Sequence, residues 1–167
     1  MRKQREYAKI IFLLAFVGLV VGVTVQGASS ADVAATVTVQ NISVTVSDGI
    51  VAYGTLAAGG SKDTVTPSDL QTATNNGNIT ETINIRGTNS AAWTLAGTAS
   101  GATNYKHEFS KDRFATAGTA LTTSNQELAS GVASGGSQTF DLKVTTPPSA
   151  SVFTEQSVNV VVVATAS

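Results

Sequence analysis

Residues 139–144 read Thr-Phe-Asp-Leu-Lys-Val, and this stretch decides the fold class. Large apolar side chains alternate here with polar ones, which is the period of a strand that buries one face. The side chains predicted to face the core are Phe140, Leu142 and Val144. Those predicted to point outward are Asp141 and Lys143. Pro147-Pro148 should then end the strand, because proline cannot donate a hydrogen bond to a sheet.

A second alternating run lies nearer the N-terminus and changes phase in the middle. Its apolar positions are Val33, Ala35, Val37 and Val39, and then Ile42, Val44 and Val46. Two phases in one extended run predict a β-bulge, or a strand that crosses between sheets, near Gln40-Asn41. The run carries no charge from Val33 to Ser47. An uncharged strand at a sheet edge is able to pair with another chain.

Turn signals divide the rest of the chain into short segments. Asp48-Gly49 should be a turn, and Asn75-Asn76-Gly77-Asn78 is the strongest hairpin signal, because Asn and Gly accept positive φ at low cost. The further segments predicted as strands are 50–56, 70–74, 79–85, 121–128 and 158–164. Residues 106–114 are charged and predict either a strand or a helical turn.

These patterns predict an all-β fold. About seven to nine short strands, with turn signals roughly 8–12 residues apart, favour a Greek-key β-sandwich. An up-and-down barrel is the alternative, and it suits irregular strand spacing less well. The chain has no cysteine, so its stability must come from packing and strand pairing and not from disulfides.

The N-terminus predicts export. A basic start precedes the apolar run 10–25, and small residues follow at 27–31, which is the order of a secretory signal peptide. We expect residues 1–31 to be the signal peptide, with Gly27 as the other possible cleavage position. We expect 32–167 to be a single domain with an extracellular or cell-surface address. A retained anchor is the alternative, although the run is shorter than the roughly 20 apolar residues of a membrane-spanning helix.

The charge balance argues against a nucleic-acid partner. The full chain has a net charge of -1. Removal of 1–31 takes away four basic residues and Glu6, which leaves a weakly acidic domain. Nucleic-acid binding needs a basic patch to neutralise phosphates. The membrane is expected to matter only through the signal segment.

Two stretches resemble a known family. Residues 51–60, Val-Ala-Tyr-Gly-Thr-Leu-Ala-Ala-Gly-Gly, are followed by Thr-Asn-Asn-Gly-Asn at 74–78. Residues 136–144 are followed by Pro147-Pro148 and a closing valine strand. Together they resemble bacterial Ig-like domains of the choice-of-anchor and Hydin-like kind. The resemblance implies an Ig-like sandwich outside the cytoplasm, and it brings no shared active site. The long N-terminal run and the charged stretch around His107 depart from it.

Candidate chemistry is sparse. His107, with Glu108 and Asp112 nearby, could form a general-base cluster or a metal site. A zinc site needs three or four ligands, so we expect an exposed polar loop here instead. No Ser-His-Asp pattern or Gly-x-Ser-x-Gly motif is present. We therefore expect no enzyme activity, no metal and no cofactor.

Calcium binding and sugar binding are two further alternatives. Asp48, Asp63 and Asp69 could supply oxygen ligands for calcium, or they could simply form turns. Of the candidate sugar-stacking aromatics, which include Tyr53, we expect Trp93 to lie in the core and Tyr105 to be exposed.

Two functions follow from these features. The first is a structural or adhesive surface protein that associates with itself through its N-terminal strand, unless the first and last strands pair within one molecule. The second is a carbohydrate- or protein-binding module that uses loops 97–104 and 106–114. The expected partners are further copies of the chain, other surface proteins or glycans.

Overall fold

The computed structural model describes residues 30–66 and 68–167, and within them every regular element is a strand. The ten strands are β1 Val44–Ser47, β2 Ser61–Asp63, β3 Gln71–Asn75, β4 Glu81–Gly87, β5 Thr94–Leu95, β6 Asn104–Ser110, β7 Thr119–Ala120, β8 Gln126–Val132, β9 Ser137–Thr145 and β10 Val160–Ala166. The all-β prediction is confirmed. The number of strands exceeds the expected range because β2, β5 and β7 are pairings too short to show periodicity.

The strands form two sheets, consistent with a β-sandwich. The larger sheet has the order β1-β3-β9-β6-β5, with β2 also paired to β9 and β7 also paired to β6. The smaller sheet has the order β10-β4-β8. All pairings are antiparallel except that of β5 with β6. β1 and β10 are each paired on one side only, so each is an edge strand.

The core lies between the sheets and contains the side chains of alternate residues. Its buried members are Ala73, Ile83, Ile85, Phe109, Leu121, Leu128, Phe140 and Leu142. The strand around 139–144 is β9, and Phe140, Leu142 and Val144 are buried as predicted. β9 ends at Thr145, just before Pro147-Pro148. Asp141 lies on the other face of β9 and is buried too, because Thr64 covers it and donates a hydrogen bond of 2.9 Å to its carboxylate.

The hairpin predicted at 75–78 is wrong in its pairing, although the turn is in the expected place. β3 pairs with β1 and β9, whereas β4 pairs with β10 and β8, so the chain crosses from one sheet to the other here. The buried amide of Asn75 explains the crossing. It donates to the carbonyl oxygens of Ile79 and Val132, and its oxygen accepts the N–H of Gly77. These bonds hold the turn as an arch over the end of the core.

The long N-terminal strand is also a wrong prediction. Only Val44–Ser47 forms a strand, and 30–43 makes no strand pairing. Asn78 holds the start of the fold: its side chain accepts the N–H of Asn41 and donates to the carbonyl of Val39. The predicted inward direction of the second half of the run is confirmed for Val44 and Val46, which pack against the core. Val33, Val37 and Val39 are 90%, 91% and 80% exposed.

Three other segments differ from expectation. Residues 50–56 form no strand although their pattern resembles one. The strand predicted at 121–128 begins only at Gln126 and continues to Val132. Of 106–114, the part up to Ser110 belongs to β6, which is central in the larger sheet, and the rest is irregular.

The predicted signal peptide lies almost wholly outside the described residues, which begin at Ser30. Among the described residues there is no helix with the length and apolar character needed to cross a membrane.

Candidate functional site

A cavity of about 920 Å³ lies beside β10, between the apolar face of the larger sheet and two irregular segments. Its floor is formed by β-strand side chains that face the core, among them Val46, Phe140 and Leu142. Val160 and Val162 of β10 line it as well, and both are only half-buried. The apolar interior of the sandwich is therefore not filled at this position.

The two irregular segments border the cavity with consecutive residues. Every residue in 49–58 and every residue in 152–160 lines it. Both segments are irregular, and they border the cavity along their whole length instead of at alternate positions. We name residues 50–56 of the first segment wall A and residues 152–158 of the second segment wall B.

The backbone of both walls is largely unpaired. Within the described part of the chain, no backbone N–H or C=O of wall A forms a hydrogen bond, and no backbone N–H of wall B donates one. The carbonyls of Thr154 and Glu155 accept only from the side chain of Gln156. Backbone polar groups are normally paired within the fold or solvated. These walls therefore carry backbone donors and acceptors that the fold itself does not use.

The lining is nearly free of charge. Glu155 is the one carboxylate among the lining residues, and no lysine or arginine of the described chain lines the cavity. A cavity of this kind favours an uncharged occupant, because a charged group loses its hydration on entry and finds no opposite charge.

Wall A is attached to the larger sheet by one side-chain bond. The hydroxyl of Tyr53 lies 2.8 Å from Nε2 of His107 on β6, and the two rings meet edge to face at 5.7 Å. Burial lowers the pKa of His107 to about 4. Burial, followed by the charge of Asp69, raises the pKa of Tyr53 above its usual value. At neutral pH both groups are uncharged, so the pair is a neutral hydrogen bond.

The exposed-loop interpretation of His107 is wrong, and so is the expected exposure of Tyr105. Both residues lie on β6 and are 1% and 0% exposed. The polar sequence around them suggested a loop, but the Tyr105 hydroxyl donates to the backbone oxygen of Thr88, and Glu108 pairs with Lys106 at 2.7 Å. Burial raises the pKa of Tyr105 to about 12.

Trp93 lies at the edge of the core. It is half-buried, lines the cavity and packs on Tyr105 at 6.2 Å. Its Nε1 is buried without a hydrogen-bond partner among the described residues, as is Nδ1 of His107. Two buried polar atoms thus belong to residues that border the cavity.

His107, Glu108 and Asp112, which were considered as a metal or general-base cluster, do not form one among the described residues. Asp112 follows β6, where Ser110 and Thr116 donate hydrogen bonds to its side chain and lower its pKa. Across the described ranges, no group of three or more His, Cys, Asp or Glu side chains is placed to hold a metal.

The three aspartates considered for calcium have local roles in turns. Asp48 has a positive φ of 68°, Asp63 accepts the N–H of Val65, and Asp69 accepts from the amide of Gln71. These contacts are those expected of turn-forming aspartates.

The two loops predicted to bind a ligand are only partly loops. Residues 97–103 form an irregular stretch between β5 and β6, but 106–110 is a central strand whose side chains are mostly buried. Only 111–114 of the second predicted loop is available as a loop.

Sequence reasoning did not find the cavity. The strand-like alternation of wall A was visible, but the lack of a pairing partner for it depends on the whole fold. The nearest signal was the first part of the N-terminal run, residues 33–39, which has strand character and, like wall A, forms no strand pairing among the described residues. Comparison with protein-family models, with curated proteins and with solved structures finds no match to this chain.

Proposed function

We propose that this chain is an exported structural or adhesive protein of the cell surface, without catalytic chemistry, that associates with copies of itself through its N-terminal segment. We define the N-terminal segment as residues 33–39. The basic and apolar start of the sequence supports export. The neutral Tyr53–His107 pair, which no carboxylate joins within the described residues, supports a role without acid–base catalysis.

One observation carries the proposal. The N-terminal segment places Val33, Val37 and Val39 almost fully in solvent, at alternate positions and with no charged residue between them. Exposed apolar side chains on an unpaired, strand-prone segment favour pairing with another polypeptide, because edge strands that avoid pairing carry charges or proline.

Pairing of the first and last strands within one molecule was the simpler expectation. It does not occur: β1 pairs with β3 and β10 pairs with β4. β1 and β10 therefore each keep one edge that no strand of the described chain pairs with.

The test places a charge on the apolar side of the segment. We expect the exported wild-type protein to form oligomers in sedimentation velocity runs, and Val37→Lys to remain monomeric, because a buried ammonium without a partner is strongly unfavourable. The matched control is Thr38→Lys, which adds the same charge at the neighbouring position on the opposite side. A monomeric wild type at high concentration, or equal behaviour of the two variants, would refute the proposal.

A further inference from the structure

We infer that the N-terminal segment of one copy inserts as an added β-strand into the cavity of a second copy, between wall A and wall B. This inference rests on the proposed self-association and names the surface that receives the segment. It is carried by three features: the anchoring of the segment in its own chain, the apolar match and the unpaired backbone.

The anchoring explains why the receiving cavity belongs to another molecule. Val39 and Asn41 are hydrogen-bonded to Asn78, in the arch that connects the two sheets. From there β1 runs from Val44, opposite Asn75, to Ser47, opposite Thr72. The cavity begins only at Val46, and no lining residue lies between Gln71 and Trp93, which excludes the arch. The segment therefore joins its own domain at the end of β1 that lies away from the cavity.

The side chains match in periodicity and in charge. In an added strand, Val33, Ala35, Val37 and Val39 share one face. That face would meet the exposed parts of Val46, Val160 and Val162, which are half-buried in the isolated chain. The other face carries Ala34, Thr36 and Thr38, which suit a solvated or polar surface. Neither partner brings a charge, apart from Glu155 at the cavity wall.

The backbone of the walls favours a peptide over a simple apolar ligand. Residues 50–53 of wall A precede Gly54, whose φ of 69° interrupts the extended backbone, and an added strand could pair with the unpaired backbone of these residues. An extended peptide also brings backbone donors and acceptors at regular spacing. These could act as hydrogen-bond partners for the wall backbone, and for Trp93 Nε1 and His107 Nδ1, which have no partner among the described residues. A hydrocarbon or lipid chain would leave these groups unpaired, at a cost for each buried one.

Donor and receiver are different surfaces of the molecule, so the contact is head-to-tail. Such a contact does not close on itself as a two-fold dimer does, and its repetition produces an open chain unless the rotation between copies closes a ring. The inference thus gives the self-association a direction: the segment of each copy is held by the next.

The chain has no cysteine, which permits an unambiguous cross-linking test. Two single variants of the exported protein, Val37→Cys as donor and Val158→Cys in wall B as receiver, are mixed and oxidised. A disulfide requires Cα atoms within about 7 Å. We expect a cross-linked heterodimer in at least about tenfold higher yield than with a control receiver, because docking raises the effective concentration of the two thiols. The control receiver is Thr123→Cys, which is exposed and does not line the cavity.

A second receiver, Val152→Cys in the same wall, covers the case in which Val158→Cys does not fold, as judged by circular dichroism. If the protein forms oligomers but neither wall position cross-links above the control, the inference is wrong while the proposed function stands. If the protein is monomeric, the proposed function fails first. If a chain with both Val37→Cys and Val158→Cys gives only cross-linked monomer at high dilution and at high concentration, the segment fills its own cavity and the inference is overturned.

Discussion

The hydroxyl of Tyr53 lies 2.8 Å from Nε2 of His107 and joins wall A to the centre of the larger sheet. This bond replaces the backbone pairing that would normally hold an extended segment in a sandwich. Wall A is fixed from one side by a side chain, and its backbone remains free on the other. The same bond explains why the only histidine of the sequence is buried and not in a loop.

The first prediction concerns the pH dependence of stability. Burial lowers the pKa of His107 from 6.5 to about 4. Between these values the unfolded chain binds a proton that the folded chain does not, so stability is complete above about pH 6.5 and is lost as the pH falls towards 4. The full effect amounts to about 3 kcal/mol. Urea unfolding at pH 7.5, 6 and 5 measures it.

The control for this prediction is His107→Gln, which is uncharged over the whole range. The variant should be less stable than the wild type at pH 7.5, because it disturbs a buried hydrogen bond, but its stability should decline less between pH 7.5 and 5. Parallel pH profiles for the two proteins would show that His107 does not titrate as described.

The second prediction concerns the core of β9. Leu142 is 4% exposed and belongs to the central apolar cluster. Leu142→Ala should lower the free energy of unfolding by about 2–5 kcal/mol, as large-to-small changes in packed cores do. Thr139→Ala, on the same strand but exposed, should cost less than about 1 kcal/mol. Equal losses in urea unfolding would mean that β9 faces the other way.

The sequence predicted those features that depend on neighbouring residues along the chain. The alternation in 139–144 gave both the strand and its buried face, because the period of side-chain direction is a local property. The turn at 75–78 was located for the same reason. Its pairing was not predicted, because the same Asn and Gly residues serve a hairpin and an arch equally well, and the choice depends on Val132, a distant acceptor of the Asn75 amide.

The candidate site depended on relationships that no local pattern contains. The polar stretch around His107 indicated a loop, yet Tyr53 and Lys106 provide the contacts that allow it to be a buried strand. Wall A has the alternation of a strand but lacks a neighbouring strand in the fold. A cavity forms where side chains from distant segments fail to fill the space between them. Sequence periodicity predicts only which side chains of one segment face the core, so it cannot reveal such a gap.

The third prediction tests the arch that connects the two sheets. Asn75 is fully buried, and its Nδ2 lies 2.8 Å from the carbonyl oxygen of Ile79 and 2.9 Å from that of Val132. Asn75→Asp replaces the donor with an oxygen that can only accept when ionised, so a carboxylate would face two carbonyl oxygens. The expected loss is about 3 kcal/mol or more, since a buried charge would have only the N–H of Gly77 to accept from and no opposite charge.

The neighbouring Asn76 provides a matched control for the arch. Its side chain is exposed and donates to Thr45 Oγ1 at 2.7 Å. Asn76→Asp introduces the same charge one residue away and should cost less than about 1 kcal/mol, because water solvates the new carboxylate. The difference between the variants should shrink when unfolding is measured at acidic pH, where the carboxyl group introduced by Asn75→Asp is protonated and regains one donor. Similar losses for both variants at neutral pH would mean that the Asn75 amide does not hold the arch, and that the crossing between sheets is fixed by strand pairing alone.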